Sequence, residues 1–185
     1  MNGRTAILAT AIVALLGQLA SANLELPTLA QQNTAPRTFL PKLLLWNTSA
    51  SAPLGLYLLH SASPLHVGEL VAVAAPEPLA RFAALRGYLP FGIPLLKHIA
   101  ALDGQTVCRF ARVVMVDGRT VAIARERDAL GRALPSWKGC RTLRAGQVFL
   151  LNTDIADSFD GRYFGVLPAN SIRSRAEPLW TFSEH

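Results

Sequence analysis

The sequence predicts a mainly β fold with one or two short helices, preceded by an N-terminal apolar helix. Three observations carry that expectation. The segment "RVVMVDGRTVAIA" places Asp117-Gly118 between alternating β-formers, the signature of a two-residue hairpin. The other apolar runs are short, rich in branched or aromatic side chains, and bounded by Pro, Gly and Asp, as strands are. Finally, there is no internal repeat, no alternating βαβ series and no Gly-rich phosphate loop.

Taken in order, residues 5 to 22, "TAILATAIVALLGQLASA", follow Arg4 and end in the small-residue pattern Ala20-Ser21-Ala22. The run is close to the ~20 apolar residues that span a bilayer and also has the form of an export signal. Cleaved signal and retained anchor both remain open for residues 1–22, and both send the rest of the chain out of the cytoplasm. The expected location is the inner membrane facing the periplasm, or the periplasm itself after signal removal. Residues 23–42 hold Pro27, Pro36 and Pro41 among polar residues and read as a tether, leaving 43–185 as the folded domain.

Within that domain "LGLYLLH" and "GELVAVAA" read as strands. "EPLARFAALRG" has helical spacing, with Pro78 early and Gly87 as its stop. "YLPFGIP" is broken by Pro and Gly, and its apolar Tyr88, Leu89 and Phe91 suit either core or a loop dipping into lipid. "PLLKHIAALDGQTVCRF" reads as strand, turn at Asp103-Gly104, strand; "GQVFLLNTD" as a further strand; "DSFDGRYFGVLP" as a polar loop returning to apolar chain.

Composition excludes several functions. The net charge is +6, but the arginines are scattered singly or in pairs with little aromatic interleaving, which argues against a nucleic-acid partner. Half of the 185 residues are apolar (51%) and only 16% are charged, which suits a core and a membrane surface. The histidines, His60, His66, His98 and His185, are dispersed and the cysteines lack C-x-x-C spacing, so neither a metal nor another cofactor is expected. Cys108 and Cys140 read as one disulfide in an exported chain and as two buried thiols in a cytosolic one.

Two sites of possible chemistry remain. Lys97 stands in "FGIPLLKHIAAL", where apolar neighbours strip hydration from its ammonium, lower its pKa and make a neutral amine available as a general base. The alternative is a lysine snorkelling from a strand end. In "NTSASAPLGLY", Ser49 and Ser51 lie on a turn bounded by Pro53 and Gly55, where a hydroxyl commonly serves the turn itself. Together, Ser51 and Lys97 match a Ser-Lys arrangement that needs no histidine, with His98 as the alternative base.

The three segments "NTSASAPLGLY", "LLKHIAALDGQTV" and "DSFDGRYFGVLP", in this order across residues 47 to 168, resemble the boxes of the type I signal peptidases. The form S-x-P-x-G-L-Y most resembles the TraF-type peptidases of conjugative transfer. That resemblance implies a signal-peptidase-like β-domain and a membrane-associated serine endopeptidase. Its implied partners are a secreted or pilin precursor and the membrane surface. It makes Ser51 the nucleophile, Lys97 the base, and Ser49 with the Ser51 N–H the oxyanion hole. Ser158 falls where a hydroxyl orients the lysine, and Asp160 and Arg162 where an acid and a base brace the loop, a structural salt bridge being the simpler role. Ala52 and then Pro53 follow Ser51 where the family commonly has methionine and a later proline, and His98 replaces a common arginine. A housekeeping signal peptidase is the neighbouring reading; a catalytically silent β-rich periplasmic module that binds assembly partners is the reading from another class.

Overall fold

The computed structural model describes residues 43–182; the apolar segment at 1–22 and the tether at 23–42 lie outside the described residues. Strand β1 (Leu43–Asn47) runs into the serine turn and returns as β2 (Leu54–His60), pairing antiparallel with Asn47 opposite Gly55. After β3 (Leu70–Val73) comes α1 (Glu77–Leu85), which begins with a proline in its first turn. Arg86 caps α1 and Gly87 follows at φ +71°, a conformation that ends the helix where the glycine was expected to. The chain then forms β4 (Leu95–Ala101), β5 (Thr106–Phe110), β6 (Val113–Val116), β7 (Arg119–Ile123), β8 (Gly139–Thr142) and β9 (Gln147–Leu151). A single-turn helix α2 (Gly161–Phe164), β10 (Val166–Pro168), a 3-10 turn (Ala169–Ser171) and β11 (Ile172–Phe182) complete it.

Two sheets result. One has seven strands in the order β1-β2-β11-β3-β4-β9-β10, and the other four in the order β7-β6-β5-β8. The fold class is therefore mainly β, with two short helices among the described residues. Because β4 and β9 are neighbours, everything from β5 to β8 is an excursion between two adjacent strands of the larger sheet. The turn at Asp103-Gly104 thus carries the chain from one sheet to the other. Val107, Val114, Val116 and Leu143 from the excursion pack against Ala101, Phe149 and Leu151, closing the contact between the sheets.

The alternation of β4 is what positions the site. Leu95, Lys97 and Ile99 share one face, since successive side chains of a strand point to opposite sides. Leu95 and Ile99 belong to a core with Val71, Val73, Val148 and Leu150, so Lys97 is held among apolar side chains and is fully buried. On the opposite face Leu96 packs with Tyr57, Ala72 and Ala176.

Strands β8, β10 and β11 were not legible as strands. The longest of them, β11, contains Pro178 and a register shift between Pro178 and Trp180, which breaks the alternation that a sequence pattern would show. In the "YLPFGIP" loop Leu89 enters the core while Phe91 and Ile93 are exposed. Among the described residues no helix is long and apolar enough to cross a membrane.

Candidate active site

The turn between β1 and β2 is built by Asn47. Its side-chain amide donates to the carbonyls of Ser49 (3.0 Å), Ala52 (3.1 Å) and Pro53 (3.0 Å), and its Oδ1 accepts from Ser49 N (3.0 Å). Buried Tyr57 adds a bond from its hydroxyl to the Pro53 carbonyl at 2.7 Å. Burial pushes the Tyr57 phenol up from its ordinary pKa, so it remains a donor at any pH of interest. The glycine of the S-x-P-x-G-L-Y segment has a steric reason: Gly55 stands at φ +141°, and a Cβ there would lie 2.1 Å from the Trp180 carbonyl oxygen of β11.

The turn so fixed presents Ser51 to Lys97. The two are 46 residues apart in the chain, and Lys97 Nζ lies 2.8 Å from Ser51 Oγ. Ser49 Oγ lies 2.9 Å from Ser51 Oγ and accepts from Ser51 N at 3.4 Å, so the Ser49 hydroxyl and the Ser51 N–H are held against each other beside Ser51 Oγ. Burial lowers the Lys97 pKa from 10.5 to about 8; nearby Asp160 opposes that shift and Arg162 adds to it.

Asp160 and Arg162 form the second layer. Both are buried, and Arg162 donates to Asp160 through Nε (2.9 Å) and Nη2 (2.7 Å), a paired geometry that a buried charge requires. Arg162 also donates to the carbonyls of Ala156 (3.1 Å), Asn152 (2.9 Å) and Ile155 (2.8 Å), closing the loop between β9 and α2. Burial works against the Arg162 charge, but its hydrogen bond and ion pair with Asp160 outweigh this and hold its pKa above the ordinary value. The pair is thus a buried salt bridge tied to the backbone of its own loop. Ser158 is buried beside it, and its Oγ has no hydrogen-bond partner: the structure brings this hydroxyl to the site without joining it to Lys97.

A cleft of about 410 Å³ opens at the serines. Ser49, Ser51 and Ser158 line it together with apolar Leu89, Leu95, Leu134 and Ile155 and with an aromatic floor. That floor centres on Phe159, whose ring stacks on Tyr163 at 5.8 Å and on Phe82 at 5.4 Å. One wall, residues 125–134, is tied down by Asp128, which accepts from Tyr88 Oη (2.6 Å) and Arg132 Nε (2.7 Å). Desolvation would raise the Asp128 pKa, but these bonds hold its carboxyl well below the usual carboxylate range. An ion pair between Arg125 and Asp157, at 2.7 Å, stands at the exposed rim.

Residues 4–180 match the family model described as signal peptidase, peptidase S26. The chain belongs to the signal peptidase S26 family. It is 35% identical over 146 residues to the conjugal transfer protein TraF of Agrobacterium fabrum, covering 74% of this chain and 81% of that one. It is 32% identical over 147 residues to a plasmid transfer protein TraF of Escherichia coli, covering 74% and 82%. A crystal structure of a signal peptidase I from Enterococcus faecalis aligns with a TM-score of 0.37 at 16% identity, over 63% of this chain and 98% of the other.

Several side chains of this S26 site carried no signal of their own in the sequence. Asn47 and Asn152 read as ordinary polar residues at strand ends. Trp137, whose Nε1 donates to the Gly161 carbonyl at 2.9 Å, and Arg109, whose Nη1 donates to the Arg162 carbonyl, reach α2 from the excursion. His98 alternates to the face away from Lys97 and is exposed, its ring Nδ1 lying 3.2 Å from Asn152 Oδ1. Cys108 and Cys140 are cross-strand partners on β5 and β8, joined by a disulfide. Among the described residues no group of three or more His, Cys, Asp or Glu is arranged to hold a metal.

Proposed function

We propose that this protein is a membrane-associated serine endopeptidase with a Ser51/Lys97 dyad that trims exported precursors in conjugative transfer, a pilin precursor being the leading substrate. The observation that carries the reading is the 2.8 Å contact between Ser51 Oγ and a lysine that is fully buried. In its neutral form Lys97 accepts the Ser51 proton as Oγ attacks the scissile carbonyl. Ser51 N–H and the Ser49 hydroxyl donate to the oxyanion. The C–N bond then breaks, the Lys97 proton passes to the leaving amine, and an ester on Ser51 remains. Water deprotonated by Lys97 cleaves that ester and restores Ser51. If the substrate's own N-terminal amine takes the place of water, the product is a cyclic peptide one water lighter than the trimmed linear one, a difference that mass spectrometry of a co-expressed pilin reads directly.

The apolar lining of the cleft suits an extended segment with small side chains near Ser51. A membrane-surface location is supported by exposed Trp46, Trp180 and Phe182, whose rings form a row, with 6.2 Å between the first pair and 4.5 Å between the second. With residues 1–22 as signal or anchor, the domain faces the periplasm. The conjugative role rests on the names of the TraF relatives. A general signal peptidase with the same dyad is the nearest alternative; a silent assembly module is the other.

The test is cleavage of a precursor by the full chain. Ser51→Ala and Lys97→Ala each abolish turnover, and Lys97→Arg is as inactive as alanine because arginine cannot supply a neutral base near neutrality. Ser49→Ala is milder, with a loss of about 10²–10³ in rate. The single-turnover rate rises with pH while the lysine loses its proton and levels off above about 8. No cleavage by the unmodified chain would leave the silent module; full activity in Ser51→Ala would move the nucleophile to another serine, Ser49 first, and full activity in Lys97→Arg would move the base to another group, His98 first.

A further inference from the structure

Asn152 follows β9 directly and is buried. Its side-chain amide has two hydrogens and two acceptor positions; both hydrogens and one acceptor position are used, and the other faces the His98 ring. Nδ2 donates to the Leu96 carbonyl at 3.0 Å and to the Ser51 carbonyl. Oδ1 accepts from His98 N at 3.1 Å and faces His98 Nδ1 at 3.2 Å. The orientation of the amide follows from its partners, because carbonyl oxygens only accept and a backbone N–H only donates.

Leu96 and His98 flank Lys97. On one side of β4 they pair with Ala72 and Leu70 of β3, while on the other the ladder with β9 stops at His98 opposite Leu151. One position further on, the Asn152 amide stands in for the missing peptide group and brackets the lysine from both neighbours. The same residue's backbone N–H donates to Asp160 Oδ2 at 3.0 Å and its carbonyl accepts from Arg162. Three segments far apart in the chain, at Ser51, at Lys97 and at Asp160-Arg162, thus meet on a single residue.

We propose that Asn152 is the positioning residue of the site, holding the Ser51 turn and the Lys97 strand in register through the two hydrogens of one amide. This rests on the dyad reading of Ser51 and Lys97. The amide touches neither reacting atom; it acts by fixing the backbone from which both project. Misplacement by about 1 Å is enough to cost on the order of 10² in rate, so loss of the bracket acts on turnover and not on substrate affinity.

The experiment measures single-turnover cleavage by the full chain in detergent micelles, using a quenched Ala-x-Ala peptide that the unmodified protein cuts. Asn152→Ala is expected to lose about 10²-fold in rate with KM within threefold. Its acid limb should move from about 8 toward 10.5, since a loosened strand admits water to the ammonium. Asn152→Asp, isosteric, keeps the acceptor and removes both donors, and its rate and KM are read in the same way if the alanine variant does not fold; its acid limb is not, because a new carboxylate near Lys97 raises that limb by itself. A rate within threefold of the unmodified protein, or a loss confined to KM, overturns the proposal. A slowed rate with the limb unmoved overturns the assignment to Lys97 and leaves only the one to Ser51. Ser51→Ala and Lys97→Ala are run alongside: if either cleaves normally, it is the dyad reading that fails, and if both are dead while Asn152→Ala is fully active, it is this one.

Discussion

The two sheets of the domain solve opposite problems. The seven-stranded sheet buries Lys97, Asn152, Asp160, Arg162 and Ser158 in or beside its core, groups whose desolvation works against folding unless each finds a partner. The four-stranded sheet faces its larger neighbour with Val107, Val114 and Val116, turns Phe110 and Ile123 outward, and ties β5 to β8 by a disulfide. A sheet that small has little core of its own, and a covalent link substitutes for it. The lesson is one of division. The larger sheet carries the buried polar groups that cost stability and that the proposed function uses, while the excursion between β4 and β9 touches α2 through Trp137 and Arg109.

The comparison breaks most sharply at Asp160. Asp160→Ala leaves the buried Arg162 guanidinium without its carboxylate, and a loss of about 3–5 kcal/mol is expected, read by chemical denaturation. In the other sheet, Cys108→Ser with Cys140→Ser opens a bridge of sequence separation 32, expected to lower stability by about 3 kcal/mol. The discriminating readout is cleavage per folded molecule, which the Asp160 variant loses and the cysteine variant retains.

Lys97→Met runs the other way. Its pKa falls from 10.5 to about 8 on folding, so the unfolded chain binds the proton more readily between those values. Burial of this amine therefore lowers stability in full below about pH 8, and the penalty is relieved as pH rises toward 10.5. The variant is expected to be inactive and about 2 kcal/mol more stable at pH 7, with the difference shrinking by pH 10. Melting curves of the two proteins at both pH values check the sign.

The smallest effect is expected at Gly118, and its contrast with Gly55 is informative. Gly118, at φ +76° in the Asp117-Gly118 turn, has open space where a Cβ would go, so Gly118→Ala meets only the left-handed backbone penalty of about 1 kcal/mol. Gly55→Ala meets the Trp180 carbonyl as well and is expected to disturb the pairing of β2 with β11 and, through the turn, the rate. Equal tolerance at both positions would mean that β11 does not constrain the serine turn.

Much of this was legible in the chain because it is local. The hairpin at Asp117-Gly118, the span of β2, the stop of α1 at Gly87 and the three motif segments each depend on neighbours within a few residues. Strand β11 was not legible: its pairing with both β2 and β3 is long-range, and Pro178 with the shift beside it erases the period-two pattern. Asn152 was missed for a related reason, since an asparagine that satisfies backbone groups of distant segments looks in the sequence like any turn residue, while Asn47 bonds within its own turn and differs from other turn asparagines only in how many carbonyls it serves.

By itself, then, the sequence determined the β-rich class, the family motifs, and the apolar setting that marks Lys97 from the other cations. Only the tertiary structure decided that Lys97 is wholly enclosed, that its amine meets Ser51 across 46 residues, and that Ser158 Oγ stands unpaired beside the Asp160–Arg162 pair. The physical reason is that the charge state of an amine and the reach of a hydrogen bond depend on what lies within a few ångströms in space. Those neighbours are supplied by β3, β9 and the serine turn, which the order of residues along the chain keeps far apart.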